Sequence, residues 1–135
     1  MPGSFFDSNV LLYSAAEDEK KAARAEALME AGGVISVQVL NEITNVLRRK
    51  RTRNWTEVLA YLDLLRVAFE VKPFSLREHL IGLAVIERYK LATYDAMLIA
   101  SALVAECDVF WSEDMHDGLV IDGTLTIRNP FSRVN

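Results

Sequence analysis

The spacing of apolar and polar positions changes several times along this chain, and each change marks an element. "FFDSNVLLY", residues 5–13, sets one Asp inside an apolar run. Residues 4–6, with the apolar positions that follow, read as a first short strand ending on Asp7. "EDEKKAARAEALMEAGG", 17–33, predicts a helix of good formers stopped by Gly32 and Gly33. "VIS" predicts a second strand, after which Ser36 can cap a helix running to about Lys50. Asn54 with Glu57 has capping-box spacing and opens a helix to about Ala68. Trp55, Val58, Leu59, Leu62 and Leu65 form its apolar face, expected mostly to pack in the core. "FEVKPF" predicts a third strand closed by Pro73. Ser75 with Glu78 repeats the capping-box pattern and opens a helix to about Tyr89, with Leu76, Leu80, Leu83 and Ile86 also expected mostly in the core. Thr93 can cap the next helix, to about Glu106. "DVFWS" predicts a fourth strand, and "LTI", 125–127, a fifth that ends at Asn129 and Pro130.

Strands alternating with helices predict an α/β domain with a mostly parallel, about five-stranded sheet and helices on both faces. No internal repeat, low-complexity tract or linker interrupts the pattern, so residues 1–135 read as one domain.

Four carboxylates then stand out. Ligands of such sheets bind beyond the carboxyl ends of the strands. Asp7 follows the first strand and Asp114 the fourth, so parallel strands would put both on one rim. Glu42 lies three residues after Val39 and four before Val46, and Asp95 three and four before Leu98 and Ile99. That spacing turns both toward the sheet. Taken singly, these acids are a turn former, a boundary residue, a partner of a helix dipole and a loop acid. Together, without matching inward Lys or Arg, they conflict. Two like charges about 4 Å apart repel by about 4 kcal/mol at an effective dielectric near 20. A divalent cation removes the conflict. Oxygen ligands without neighbouring His or Cys suit Mg²⁺ or Mn²⁺ rather than Zn²⁺. His79 and His116 are not spaced as a zinc pair and read as structural or exposed.

Composition adds limits. The chain of 135 residues is 51% hydrophobic and 25% charged, as in ordinary soluble proteins. No apolar run approaches the roughly 20 residues of a membrane span, and no secretory signal is visible at the N-terminus. The single cysteine, Cys107, excludes an internal disulfide, fits a reducing cytoplasm and reads as a buried structural thiol. The net charge of −4 does not announce a nucleic-acid binder. Its distribution is uneven, because Arg48, Arg49, Lys50, Arg51 and Arg53 put five positive charges into six residues on an otherwise acidic chain. Such a cluster either contacts phosphates or is a solvated helix end favoured by the helix dipole.

"FFDSNVLLY", "VISVQVLNEITNVL", "LATYDAMLIASAL" and "VFWSEDMHDG" stand in the order and spacing of PIN-domain nucleases. The chain resembles most closely the VapC-type toxins of bacterial type II toxin–antitoxin pairs, over nearly its whole length and including "LTIRNPF". The ordered set, not any single motif, carries the likeness. The resemblance implies a PIN-like three-layer α/β/α sandwich and a Mg²⁺- or Mn²⁺-dependent endoribonuclease. Asp7, Glu42, Asp95 and Asp114 match the family's acidic quartet. Asn9 would support Asp7, and Ser112 matches the hydroxyl residue that steadies the fourth acid. Asp7, Asp95 and Asp114 would be the main cation ligands. Glu42 would bind the cation directly or through water, or orient the attacking water. Many relatives carry another Asp two residues after the fourth acid. Here that position is His116, and Asp117 could serve as a metal ligand instead. Glu113 is expected to face solvent. The basic cluster becomes a candidate RNA contact. The resemblance also implies a homodimer and a small VapB-type antitoxin as partners, with no membrane association.

Three other readings compete. A catalytically silent PIN-like RNA-binding module is disfavoured because all four acids are present. A phosphatase of the haloacid dehalogenase type needs a second Asp where Asn9 stands. A phosphorylated receiver domain needs a Lys near the last strands, and "VFWSED" offers none.

Overall fold

The chain turns helical one residue after Asp7. In the computed structural model, which describes residues 3–15, 18–50 and 53–132, β1 (Ser4–Phe6) is followed at once by α1 (Ser8–Tyr13). The apolar positions after Asp7 are therefore helical, contrary to the extended reading. The reason is local. Asp7 holds an extended backbone and its side chain accepts the Ser8 N–H, which places it at the N-cap.

The remaining elements are α2 (Glu19–Glu30), β2 (Val34–Ser36), α3 (Val37–Arg49), α4 (Trp55–Ala68), β3 (Glu70–Lys72), α5 (Leu76–Tyr89), α6 (Thr93–Val104), β4 (Val109–Trp111), β5 (Val120–Ile121) and β6 (Leu125–Arg128). Asp18 caps α2 through the Lys21 N–H, and Glu17 lies outside the described residues. Asn54 and Glu57 form the expected capping box. The Glu78 carboxylate accepts the Ser75 N–H and hydroxyl, which holds its pKa below the usual value. Two expected caps fail. Ala92, not Thr93, occupies the cap position of α6. Ser36 occupies that of α3, but its hydroxyl is buried without a hydrogen-bond partner among the described residues.

The sheet has six strands in the order β3-β2-β1-β4-β6-β5, one more than expected. All pairs are parallel except β5 with β6. The extra strand is two residues long, too short to leave an alternating signature. The chain leaves β1 toward β2 and β3, then crosses back to place β4 on the other side of β1. Right-handed crossovers then put α1–α4 on one face and α5–α6 on the other. Packing agrees: α1 meets α2 and α3, α3 meets α4, and α5 lies along α6. The crevice beyond β1 and β4 is the switch point of such a sheet, where ligands bind.

The central strands supply the core. Phe5 and Phe110 stack with centroids 5.3 Å apart, and Phe6, Ile35 and Ile127 are fully buried around them. Burying each such side chain stabilises by roughly 1.5–3 kcal/mol. Gly33 lets β1 and β2 approach, since a Cβ there would stand 2.7 Å from the Ser4 carbonyl oxygen. Cys107 is buried, and burial pushes its thiol up to about 11. Val58 and Leu65 are buried as expected. Trp55, Leu59, Leu76, Leu80 and Leu83 are exposed instead, so α4 and α5 present apolar side chains outward. Amphipathic spacing alone does not distinguish a core face from an outward one. Among the described residues no helix is long and apolar enough to cross a membrane.

Candidate functional site

Asp7 sits at the carboxyl end of the central strand, and its N–H bonds the Trp111 carbonyl across to β4. Only 5% of its surface is exposed. Oδ1 accepts the Ser8 N–H at 2.7 Å, and Oδ2 accepts the Ser112 hydroxyl at 2.9 Å. Burial raises its pKa to about 6, helped by the Glu42 and Asp95 carboxylates and opposed by the Ser112 and Ser8 hydrogen bonds.

Glu42 comes from α3 and is tied to the same place. The Ser8 hydroxyl donates to its Oε2 at 2.8 Å while standing 3.4 Å from Asp7 Oδ1. Gln38 Nε2 donates to Glu42 Oε1 at 3.4 Å. Sequence reasoning missed Ser8. Its link to Glu42 depends on the helical turn after Asp7, which the apolar run conceals.

Asp114 follows β4, and its N–H donates to Ser112 Oγ at 3.3 Å. Asn9 joins it to the centre: Nδ2 lies 3.0 Å from Asp114 Oδ2, 3.4 Å from Asp7 Oδ2 and 3.5 Å from Ser112 Oγ. The Asn9 Oδ1 accepts the Glu113 N–H at 3.3 Å. Asn9 thus stands beside Asp7, as expected, whereas the Ser112 hydroxyl, expected to steady Asp114, donates to Asp7 and meets Asp114 only by accepting its N–H. Asp95, in the first turn of α6, is raised by burial and by the Asp114 and Glu42 carboxylates.

The four acids therefore share one rim, though not equally deep. Asp7 is buried, Glu42 and Asp95 are half-buried and Asp114 is exposed, so the expectation of four inward carboxylates holds for the first three only in degree and not for Asp114. None of the four forms an ion pair among the described residues. As the side chains stand, no group of three or more His, Cys, Asp or Glu among those residues is arranged to hold a metal ion. The donor chemistry nonetheless fits a hard divalent cation. It is all oxygen, and a carboxyl whose pKa is raised by burial and, less, by its anionic neighbours is relieved by positive charge.

Glu113 is not solvent-facing. It accepts the Tyr13 hydroxyl at 2.7 Å and pairs with Lys21 at 2.6 Å. Partial burial raises its pKa, but Lys21 and Tyr13 outweigh that and hold it below the usual range. This bridge fastens α1 and α2 to the loop that carries Asp114. Asp117 is exposed, its Oδ1 accepts the Asn129 N–H at 2.8 Å, and it lines a depression with Arg24, Trp111 and Arg128. His79 and His116 are exposed.

The basic cluster divides. Arg48 and Arg49 are exposed on the last turn of α3. Lys50 lines a groove of about 380 Å³ with Asn9, Tyr13, Glu113 and Asp114. Arg53 is half-buried and donates to the Ala15 carbonyl at 3.0 Å. Arg51 lies outside the described residues. Gln38, Asn41, Glu42, Asn45, Tyr94 and Asp95 line a separate open recess of about 420 Å³.

The PIN domain family matches residues 4–116 of the chain. The fold is shared by a toxin–antitoxin complex from Klebsiella pneumoniae (TM-score 0.72, 19% identity, covering 94% of this chain and 97% of that one). It is shared too by DNA-bound VapBC from Salmonella typhimurium (TM-score 0.70, 18% identity, 96% and 99% covered). FitAcB from Neisseria gonorrhoeae is a third (TM-score 0.70, 15% identity, 96% and 99% covered). No curated protein matches the chain in sequence.

Proposed function

The chain belongs to the PIN-domain family, and on that premise we propose that it is a metal-dependent endoribonuclease acting as the toxin of a toxin–antitoxin pair. The convergence of Asp7, Glu42, Asp95 and Asp114 on one rim, with none of them in an ion pair among the described residues, carries the reading. Asp7, Asp95 and Asp114 would hold Mg²⁺ or Mn²⁺. The cation, when bound, supplies Lewis acidity that lowers the pKa of water and offsets charge on the phosphoryl oxygens.

The chain's own residues do the rest. Ser112 and Ser8 fix the two oxygens of Asp7, so its lone pairs are aimed before any ligand arrives. Asn9 holds Asp114 beside it. Ser8 occupies Oε2 of Glu42, leaving Oε1, with its longer Gln38 contact, to orient a water and accept its proton. Lys50, in the groove that Asp114 lines, offsets the repulsion an acidic site exerts on RNA. Asp117 is a peripheral candidate ligand, exposed and with its Oδ1 accepting the Asn129 N–H.

The outward apolar side chains of α4 and α5 suit a homodimer contact or a small VapB-type antitoxin. A partner's Arg or Lys entering the rim would inhibit by taking the cation's place. Full RNase activity in a purified complex with the antitoxin would contradict that mode of inhibition. The function itself is tested by expressing this chain and Asp7→Asn in bacteria and sequencing RNA ends. Growth arrest and new 5′ ends from the first alone are expected. Equal effects from both would overturn the metal-nuclease reading.

A further inference from the structure

We propose that the recess between α3 and the start of α6 is a nucleobase pocket, in which one unstacked base of single-stranded RNA lies on Tyr94 and is read by Asn41 and Asn45. This rests on the ribonuclease reading and adds the form of the substrate and the residues that set base preference.

The α3 side follows from spacing. Gln38, Asn41, Glu42 and Asn45 fall at i, i+3, i+4 and i+7, one face of a helix. Three carboxamides therefore flank Glu42. Asn41 and Asn45 are exposed, and Gln38 is the only one of the three with a side-chain hydrogen bond among the described residues. Asn41 and Asn45 each offer a donor and an acceptor, the pattern that matches a base edge.

The α6 side supplies a surface to stack on. Tyr94 is 74% exposed, packs against no other ring among the described residues, and precedes Asp95 directly. An exposed aromatic beside a phosphodiester-cutting site is the usual platform for splayed RNA bases. The recess, about 420 Å³ and open to solvent, has room for a base laid on Tyr94.

Charge decides which part of the RNA enters. With Asp95 turned to the cation, Glu42 keeps the rest of the recess unfavourable to phosphate, whereas a neutral base is accepted. Lys50 lies in the groove with Asn9 and Asp114. The rim thus sorts the substrate, with backbone on the Lys50 side and base on the Tyr94 side. Double-stranded RNA, whose bases stay stacked, cannot fill the recess.

The test uses short single-stranded RNA carrying a fluorescent adenine analogue at successive positions. Binding is read on the Asp7→Asn chain in Mg²⁺, and cleavage ends are sequenced for chains with native Asp7. At one position the fluorescence is expected to be quenched on binding. Adding Tyr94→Ala should abolish that quenching and weaken affinity roughly five- to a hundredfold, while Tyr94→Phe keeps both. Asn41→Ala or Asn45→Ala should change the nucleotide preferred beside the cut. Unaltered quenching and an unaltered preference in Tyr94→Ala, with an unchanged melting temperature, would overturn the pocket whether or not RNA is cut. Tyr94-dependent quenching without cleavage would instead sustain the pocket and remove the nuclease. Absence of RNA binding by any of the chains would overturn both.

Discussion

Asp7 is held by opposing forces, and its pH behaviour exposes them. Folding lifts its pKa from 3.8 to about 6, chiefly by burial. The folded state therefore binds the proton more tightly than the unfolded one. That contribution to stability is complete below about pH 3.8 and is lost as pH rises through about 6. A shift of this size corresponds to about 3 kcal/mol. In chelator, the melting temperature is expected to fall as pH is raised across that window, and Asp7→Asn should flatten the slope while raising stability at neutral pH. A variant as pH-sensitive as the parent would place the titration elsewhere. Ser8→Ala removes the hydroxyl that steadies Glu42. Cleavage is expected to fall roughly tenfold, in line with one hydrogen bond to a charged group, with little change in melting. Asp7, Glu42 and Asp95 were legible because each interrupts an apolar pattern, and Asp114 because it follows the fourth strand. Ser8 was not, because a hydroxyl beside an N-cap acid has no pattern of its own.

Elements place these residues, and two of the four expected caps, both capping boxes, were readable. Asn54 with Glu57 and Ser75 with Glu78 begin helices where the spacing says. Thr93 failed as a cap because Ala92 already holds the extended backbone before α6. Helix α1 was missed because six residues of Ser-Asn-Val-Leu-Leu-Tyr carry too few turns to separate period 3.6 from a buried strand. The approach of β1 and β2 depends on Gly33. Gly33→Ala sets a Cβ against the Ser4 carbonyl oxygen and is expected to lower stability by roughly 1–3 kcal/mol, seen as a lower denaturation midpoint at constant m. The end of α3 is the place to test phosphate binding. Reversing Arg48, Arg49 and Lys50 to Glu should weaken RNA binding and reduce the salt slope by about 0.7 for every phosphate no longer neutralised. An unchanged slope would confine those cations to the helix end.

At the scale of the whole molecule, the topology does what no motif does. Asp7 and Asp114 meet because β4 returns to the side of β1 opposite β2. Glu42 and Asp95 arrive from α3 and α6, the helices after β2 and before β4. The alternation of strands and helices made this layout readable, whereas β5 and the outward apolar faces of α4 and α5 depend on pairing and packing that spacing does not encode. The measurement that bears most directly on the role of the rim is cleavage of labelled RNA by the purified chain and by Asp95→Asn, titrated with Mg²⁺ or Mn²⁺ against chelator. The expected result is cleavage by the parent that requires the cation and is lost in the variant. Cleavage that persists in chelator, or that Asp95→Asn leaves intact, would contradict it.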